Sequence, residues 1–201
     1  MRIAIDLNDV LRDYTFNFAQ KYKMGYDHTF DLDDLVFSTN DVKVLFPFKT
    51  QKAYENFVYG EYAFDLYGSA PVAEKGLTDK YIAWENALED LDEDEPVEVM
   101  IVSTLEAGLT IQATYFFLSK LGTKARRVFF PKDSTEIWNE CDILITANPY
   151  LLATKPENKV SVKIEREYNG ECESDYSFIS SVYFIRTEDN IKKIIDNYGN
   201  K

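Results

Sequence analysis

The chain has 201 residues, 45% of them apolar and 15% aromatic, which suits one α/β domain with a sizeable insertion. With 22 basic and 35 acidic residues its formal net charge is −13, which repels nucleic-acid polymers and anionic membranes while leaving room for a small phosphate in a local basic pocket. Cys141 and Cys172 are too few for a disulfide framework. No apolar run approaches the ~20 residues needed to span a bilayer, and the opening MRIAIDLNDV lacks the pattern of a signal peptide. A soluble, cytoplasmic protein is expected.

Residues 2–5 form a short apolar run of the kind buried on both faces of a parallel sheet. LRDYTFNFAQKYKMG follows at helical spacing, with Gly25 as its stop. Residues 26–75 are aromatic, acidic and irregular, with turns suggested at FSTND, Pro47, Gly60 and GSAP. LTDKYIAWENALEDL reads as a helix with Leu77, Tyr81, Trp84 and Leu88 on one face, and EDLDEDEP as its solvated end.

Beyond Val97 strands and helices alternate. VEVMIVS reads as a strand, and STLE has the capping-box pattern of a helix start for LEAGLTIQATYFFLSKLG, closed by Gly122. ARRVFF, DILIT and KVSVKI read as strands, with a short helix in PKDSTEIWNE and a loop at ANPYLLATKPEN. YSFISSVYFI reads as a strand or bend, and TEDNIKKIIDNYG as a closing helix capped by Thr187. Such alternation implies a mostly parallel sheet between helices, which the strand at 2–5 must join. Ligands then bind beyond the carboxyl ends of the strands, at Asp6, at Ser103 with Thr104, and at Thr146 with Ala147, with Lys132 just past Phe130.

An apolar strand ending in Asp-x-Asp-x-(Val/Thr), a second ending in Ser/Thr, a later Lys and then an apolar strand ending in acids form the motif order of haloacid dehalogenases. DLNDV, IVST, FPKDS and DILITANP resemble this order, most closely that of the 5'(3')-deoxyribonucleotidase branch. The resemblance implies a Rossmann-like core at 1–12 and 95–201, with a small helical cap inserted at 13–94. It also implies Mg2+-dependent phosphoryl transfer from a small phosphomonoester. Asp6 takes the nucleophile position, while Ser103, Thr104 and Lys132 take the phosphate positions.

The departures from this pattern matter as much. Asn8 stands where the acid/base Asp belongs, and a carboxamide cannot cycle a proton; losing such a group costs ~10²–10⁴ in rate. Asp9, one residue displaced, is the candidate substitute. Thr146 and Ala147 replace the two metal acids, so Asp6 is left as the lone carboxylate of a weak Mg2+ site. Glu106, in the turn after Ser103, would compete with a phosphate if it pointed inward. Plain structural roles also fit several of these residues: a turn or cap for Asp6, a helix cap for Ser103 and an exposed loop for Lys132, with Arg126 or Arg127 as substitute cations.

The remaining candidates are weaker. His28 stands alone, without partners for zinc, and DLDD at 31–34 lacks the glycine and closing Glu of a calcium loop. The aromatics at 44–67 read as cap core or as a surface on which a flat ligand stacks. Three functions are therefore expected in competition. The first is a catalytically degenerate protein keeping a small anion pocket at Asp6, Ser103 and Lys132. The second is an active Mg2+-dependent phosphohydrolase with Asp6 as nucleophile, and the third an acidic interaction module.

Overall fold

The computed structural model describes residues 1–89, 97–104, 106–133, 135–186 and 188–199. Six parallel strands, β1 (Arg2–Asp6), β2 (Glu98–Val102), β3 (Arg127–Phe129), β4 (Ile143–Thr146), β5 (Val160–Ile164) and β6 (Tyr176–Phe178), lie in the order β3-β2-β1-β4-β5-β6. The helices are α1 (Thr15–Gly25), α2 (Val42–Leu45), α3 (Gln51–Asn56), α4 (Leu77–Glu89), α5 (Leu109–Leu121), α6 (Glu136–Glu140), α7 (Pro149–Ala153), α8 (Ser181–Phe184) and α9 (Glu188–Gly199).

Strand side chains alternate between faces, so β1 sends Ile3 and Ile5 into one layer and Ala4 into the other. The first layer packs Leu77, Tyr81 and Trp84 of α4, Phe117 and Leu121 of α5, and Ile191 of α9. The second packs Met100, Leu144, Ile137, Trp138 and Leu151. β1 is thus central and covered on both sides, as its unbroken apolar run requires. The chain order reverses between β1 and β4, and a crevice opens at their carboxyl ends.

The insertion between β1 and β2 has an aromatic core of its own, from Tyr14 to Tyr67, docked on α5 through Ala113. α4 lies in the sheet's cluster instead, so the separately cored part of the expected 13–94 insertion ends near residue 67. Gly60, where a turn was expected, lies inside a π-helical segment at Phe57–Glu61; a second runs over Phe64–Gly68 and ends in the expected bend at GSAP. The widened turn bonds Tyr62 N–H to the Phe57 carbonyl at 2.9 Å and stacks the two rings 4.4 Å apart, a pairing an α-helical turn would not give at this spacing.

Other local expectations change as well. The Ser103 capping box does not form: α5 begins only at Leu109, after Gly108 at φ +58, and Ser103 is occupied elsewhere. Gly122 does close α5 in the left-handed region, at φ +76. YSFISSVYFI divides into β6 and α8, with Ser180 accepting from Tyr183 N–H as the cap of α8. The acidic run from Asp90 to Pro96 and the expected cap Thr187 lie outside the described residues. Among the described residues no helix is long and apolar enough to cross a membrane.

Phe18 is fully buried in the aromatic core, stacked 5.1 Å from Phe46 and tilted against Phe57 at 5.7 Å. Phe18→Ala is expected to destabilise the protein by about 3–5 kcal/mol, read as a lowered denaturation midpoint with an unchanged denaturant slope.

Candidate functional site

β1 runs directly into a tight loop over residues 7–12. The N–H groups of Leu11 and Arg12 donate to the Leu7 carbonyl at 3.1 and 2.9 Å, and Asp9 N–H donates to the Arg12 carbonyl at 2.7 Å. Asp9 takes φ +59, a left-handed conformation that a short polar side chain tolerates better than most. The loop leaves Asp6 at the mouth of the crevice, directly beside the end of β4.

Asp6 is 1% exposed. Its Oδ2 accepts the Thr146 hydroxyl at 2.7 Å, and its Oδ1 has no hydrogen-bond partner. Burial pushes the carboxyl up to about 7; the Thr146 bond opposes this and the charge of Asp9 adds to it. Thr146 in turn accepts Asn148 N–H at 3.0 Å, so the residue replacing one expected acid orders both the Asp6 carboxyl and the following loop. Ala147 is buried, its carbonyl accepting from Asn169 Nδ2 at 2.8 Å.

Asp9 holds the start of α1. Its Oδ1 accepts the N–H groups of Tyr14 and Thr15 at 2.9 and 2.8 Å, while its Oδ2 accepts the hydroxyls of Thr15 and of Tyr168, the latter at 2.8 Å. A carboxylate with both oxygens so engaged anchors backbone, which is a different duty from the acid/base one considered for it.

Arg12, which falls in the stretch expected to open a helix, is the main basic group here. It is 0% exposed and donates to Asn8 Oδ1 at 3.1 Å (Nε) and 2.6 Å (Nη2), to the Tyr67 carbonyl at 3.0 Å, and to Thr114 Oγ1 at 2.7 Å. It also reaches Ser103 Oγ at 3.3 Å and Glu106 Oε1 at 2.8 Å. Glu106 Oε1 accepts the Ser103 hydroxyl at 2.9 Å and the Thr114 hydroxyl at 2.6 Å as well, and the Glu106 side chain is fully buried. Glu106 thus points inward, and its carboxylate sits on the hydroxyl that the resemblance assigns to phosphate. The i+4 spacing of Asn8 and Arg12 and the place of Glu106 in the turn after Ser103 were the sequence signals for this cluster.

Lys132 lies exposed in the loop after β3, its backbone N–H donating to Glu136 Oε2 at 3.2 Å, and it does not line the cavity at Asp6. Arg127 pairs with Glu140 at 2.7 Å, and Arg126 lines a cavity with Met1 and Arg2. Both lie toward the amino ends of the strands, as does Asp142, which accepts Arg2 N–H at 2.9 Å.

The cavity over Asp6, lined by Asn8, Asp9, Thr104, Asn148 and Tyr168 among others, measures about 20 Å³. That is room for roughly one water molecule. Mg2+ keeps several waters alongside its carboxylates, and the donors present do not match that need. Asp9 is saturated, Asn148 Oδ1 accepts Tyr150 N–H, and Asp6 offers one free oxygen. Among the described residues no group of three His, Cys, Asp or Glu side chains is gathered to hold a metal. These residues do not fit Mg2+.

Compared with protein-family models and with curated proteins, the chain matches none. Solved structures do resemble it. A haloacid dehalogenase-like hydrolase of Burkholderia xenovorans LB400 aligns over 94% of this chain and 96% of its own, with TM-score 0.57 and 8% identity. A haloacid dehalogenase-like family hydrolase of Xanthomonas campestris aligns over 100% of this chain and 98% of its own, with TM-score 0.52 and 12% identity. At such identities the likeness speaks for the fold alone. The six-stranded parallel sheet with its flanking helices is the α/β fold of haloacid dehalogenase-like hydrolases.

Proposed function

We propose that this chain is a catalytically degenerate protein on the haloacid dehalogenase-like fold, of the 5'(3')-deoxyribonucleotidase type, with its phosphate position filled from within. The observation that carries this reading is the Glu106 carboxylate, bound by Ser103, Thr114 and Arg12 as an anionic ligand would be. A small phosphorylated molecule at Asp6, Ser103 and Lys132 would have to displace it. The other parts agree. Asn8 is tied to Arg12, Asp9 anchors α1, and a hydroxyl takes the Asp6 oxygen that a metal would share.

The second reading, an active Mg2+-dependent phosphohydrolase with Asp6 as nucleophile, draws on the unpartnered Oδ1 of Asp6 at the crevice. Against it stands the size of the cavity.

Three measurements test these readings. With Mg2+ present, no phosphate release from p-nitrophenyl phosphate or deoxynucleoside monophosphates is expected; turnover that disappears in Asp6→Asn would establish the second reading instead. Glu106→Ala strips a buried guanidinium of its counter-charge and is expected to cost about 3–5 kcal/mol. Inorganic phosphate or acetate should then raise the melting temperature of this variant in proportion to ligand occupancy, with no comparable rise in the unmodified protein. An anion-insensitive Glu106→Ala protein would count against a filled phosphate site.

The third concerns pH. The folded protein holds the Asp6 proton more tightly than the unfolded chain does, so this group's contribution to stability falls as pH climbs from about 4 to about 7. Asp6→Asn removes that loss while its side-chain oxygen can still accept from Thr146. Its advantage in unfolding free energy should be near zero at pH 4 and on the order of 2–4 kcal/mol at pH 8, read from denaturant titrations at the two pH values.

A further inference from the structure

A second cavity, of about 170 Å³, opens beside the first where the start of α1 meets the loop after β5. The two share Asp9, Thr15 and Tyr168 as a common wall. Its outer walls are the rings of Phe16 and Phe37, edge to face with centroids 6.4 Å apart, and Phe16 is 46% exposed although large and apolar. Asp13, Ala73, Arg166 and Glu167 complete the lining.

The charges facing this space are unequally committed. Arg166 is spent within the protein: Nε donates to the Asp9 carbonyl at 2.9 Å, Nη1 to the Glu165 carbonyl at 2.8 Å, and Nη2 to Glu74 at 3.2 Å. Asp9 is saturated by its four donors. Asp13 and Glu167 form no salt bridge among the described residues. Asp13 is half-buried, and burial followed by the charge of Asp9 pushes it up to about 6, with Arg166 only partly opposing. Such a carboxylate still lacks a counter-ion of its own. An anion would meet two carboxylates and an occupied guanidinium, whereas a cation would meet two carboxylates outside any salt bridge, Asp13 taking only the Phe16 N–H beside it, and two aromatic rings. Aromatic faces attract ammonium groups through their quadrupole. A cavity of about 150 Å³ accommodates a benzene-sized molecule, so the occupant has roughly six to eight heavy atoms.

We propose that the cavity lined by Asp13, Phe16, Phe37 and Glu167 binds a small organic ammonium ion. This site uses neither Asp6 nor the Glu106 cluster, so it stands or falls independently of the degenerate reading of the fold.

Choline serves as the probe, titrated calorimetrically into the full chain at pH 8 and constant ionic strength. Its neutral carbon isostere, 3,3-dimethylbutan-1-ol, is the control. Saturable choline binding is expected, with the isostere at least tenfold weaker. Phe16→Leu, at an exposed position where folding is not at stake, should weaken choline at least fivefold. Asp13→Asn should weaken it further without lowering the melting temperature at pH 8, since it removes a carboxyl that burial raises to about 6 and that is costly to ionise there. Absence of saturable binding by choline and by tetramethylammonium would overturn the proposal. So would equal binding of the neutral isostere, or unchanged affinity in Phe16→Leu together with Asp13→Asn.

Discussion

A guanidinium buried without solvent imposes a severe constraint on everything near it, because each unmet donor and the charge itself must be compensated inside the protein. Arg12 meets that constraint with Asn8, Ser103, Glu106, Thr114 and the Tyr67 carbonyl, and with the Tyr67 and Phe117 rings at 4.8 and 5.7 Å. These partners come from the β1 loop, the loop after β2, α5 and the aromatic insertion. One side chain therefore joins the insertion to the core, and Asn8, Ser103, Glu106 and Thr114 are committed to satisfying it. The arrangement is not fully satisfied, since Glu106 Oε2 is buried without a partner.

The sheet determines where these demands fall. With β1 and β4 adjacent and the chain order reversing between them, Asp6 and Thr146 stand side by side at the crevice. In this setting a single hydroxyl alters the chemistry. Thr146 offers a hydrogen bond where an acid would offer negative charge for a cation; burial pushes the Asp6 carboxyl up to about 7, and that hydrogen bond only partly opposes it. The same residues that make the end of β1 compact make it a poor place to assemble a metal.

The aromatic insertion has two faces of different character. Its interior is a mesh of rings around Phe18, Tyr22 and Phe57. Its edge toward the sheet presents Phe16 and Phe37 to a loop carrying Arg166 and Tyr168, and the space between them is the larger of the two cavities on that side. Asp9 anchors α1 and touches both cavities, so the loop that closes one space also forms the wall of the other.

Much of this was legible in the chain itself. The apolar run at 2–5, the alternation after Val97 and the Gly122 stop are local signals, set by periodicity and backbone freedom, and they placed the sheet and put Asp6 at its carboxyl end. The inward competition of Glu106 with Ser103 was readable as a conditional, since the two residues share one turn. Which way Glu106 pointed depended on a cation 2.8 Å away in space and 94 residues away in sequence, Arg12. Likewise, only the folded chain decided that Ser103 would serve a carboxylate instead of capping a helix, that Lys132 would face solvent, and that Tyr168 would reach Asp9. Sequence determined the elements because those follow from each residue's neighbours along the chain; tertiary structure decided the site because charge compensation in a buried space is settled among residues that meet only when the sheet is complete.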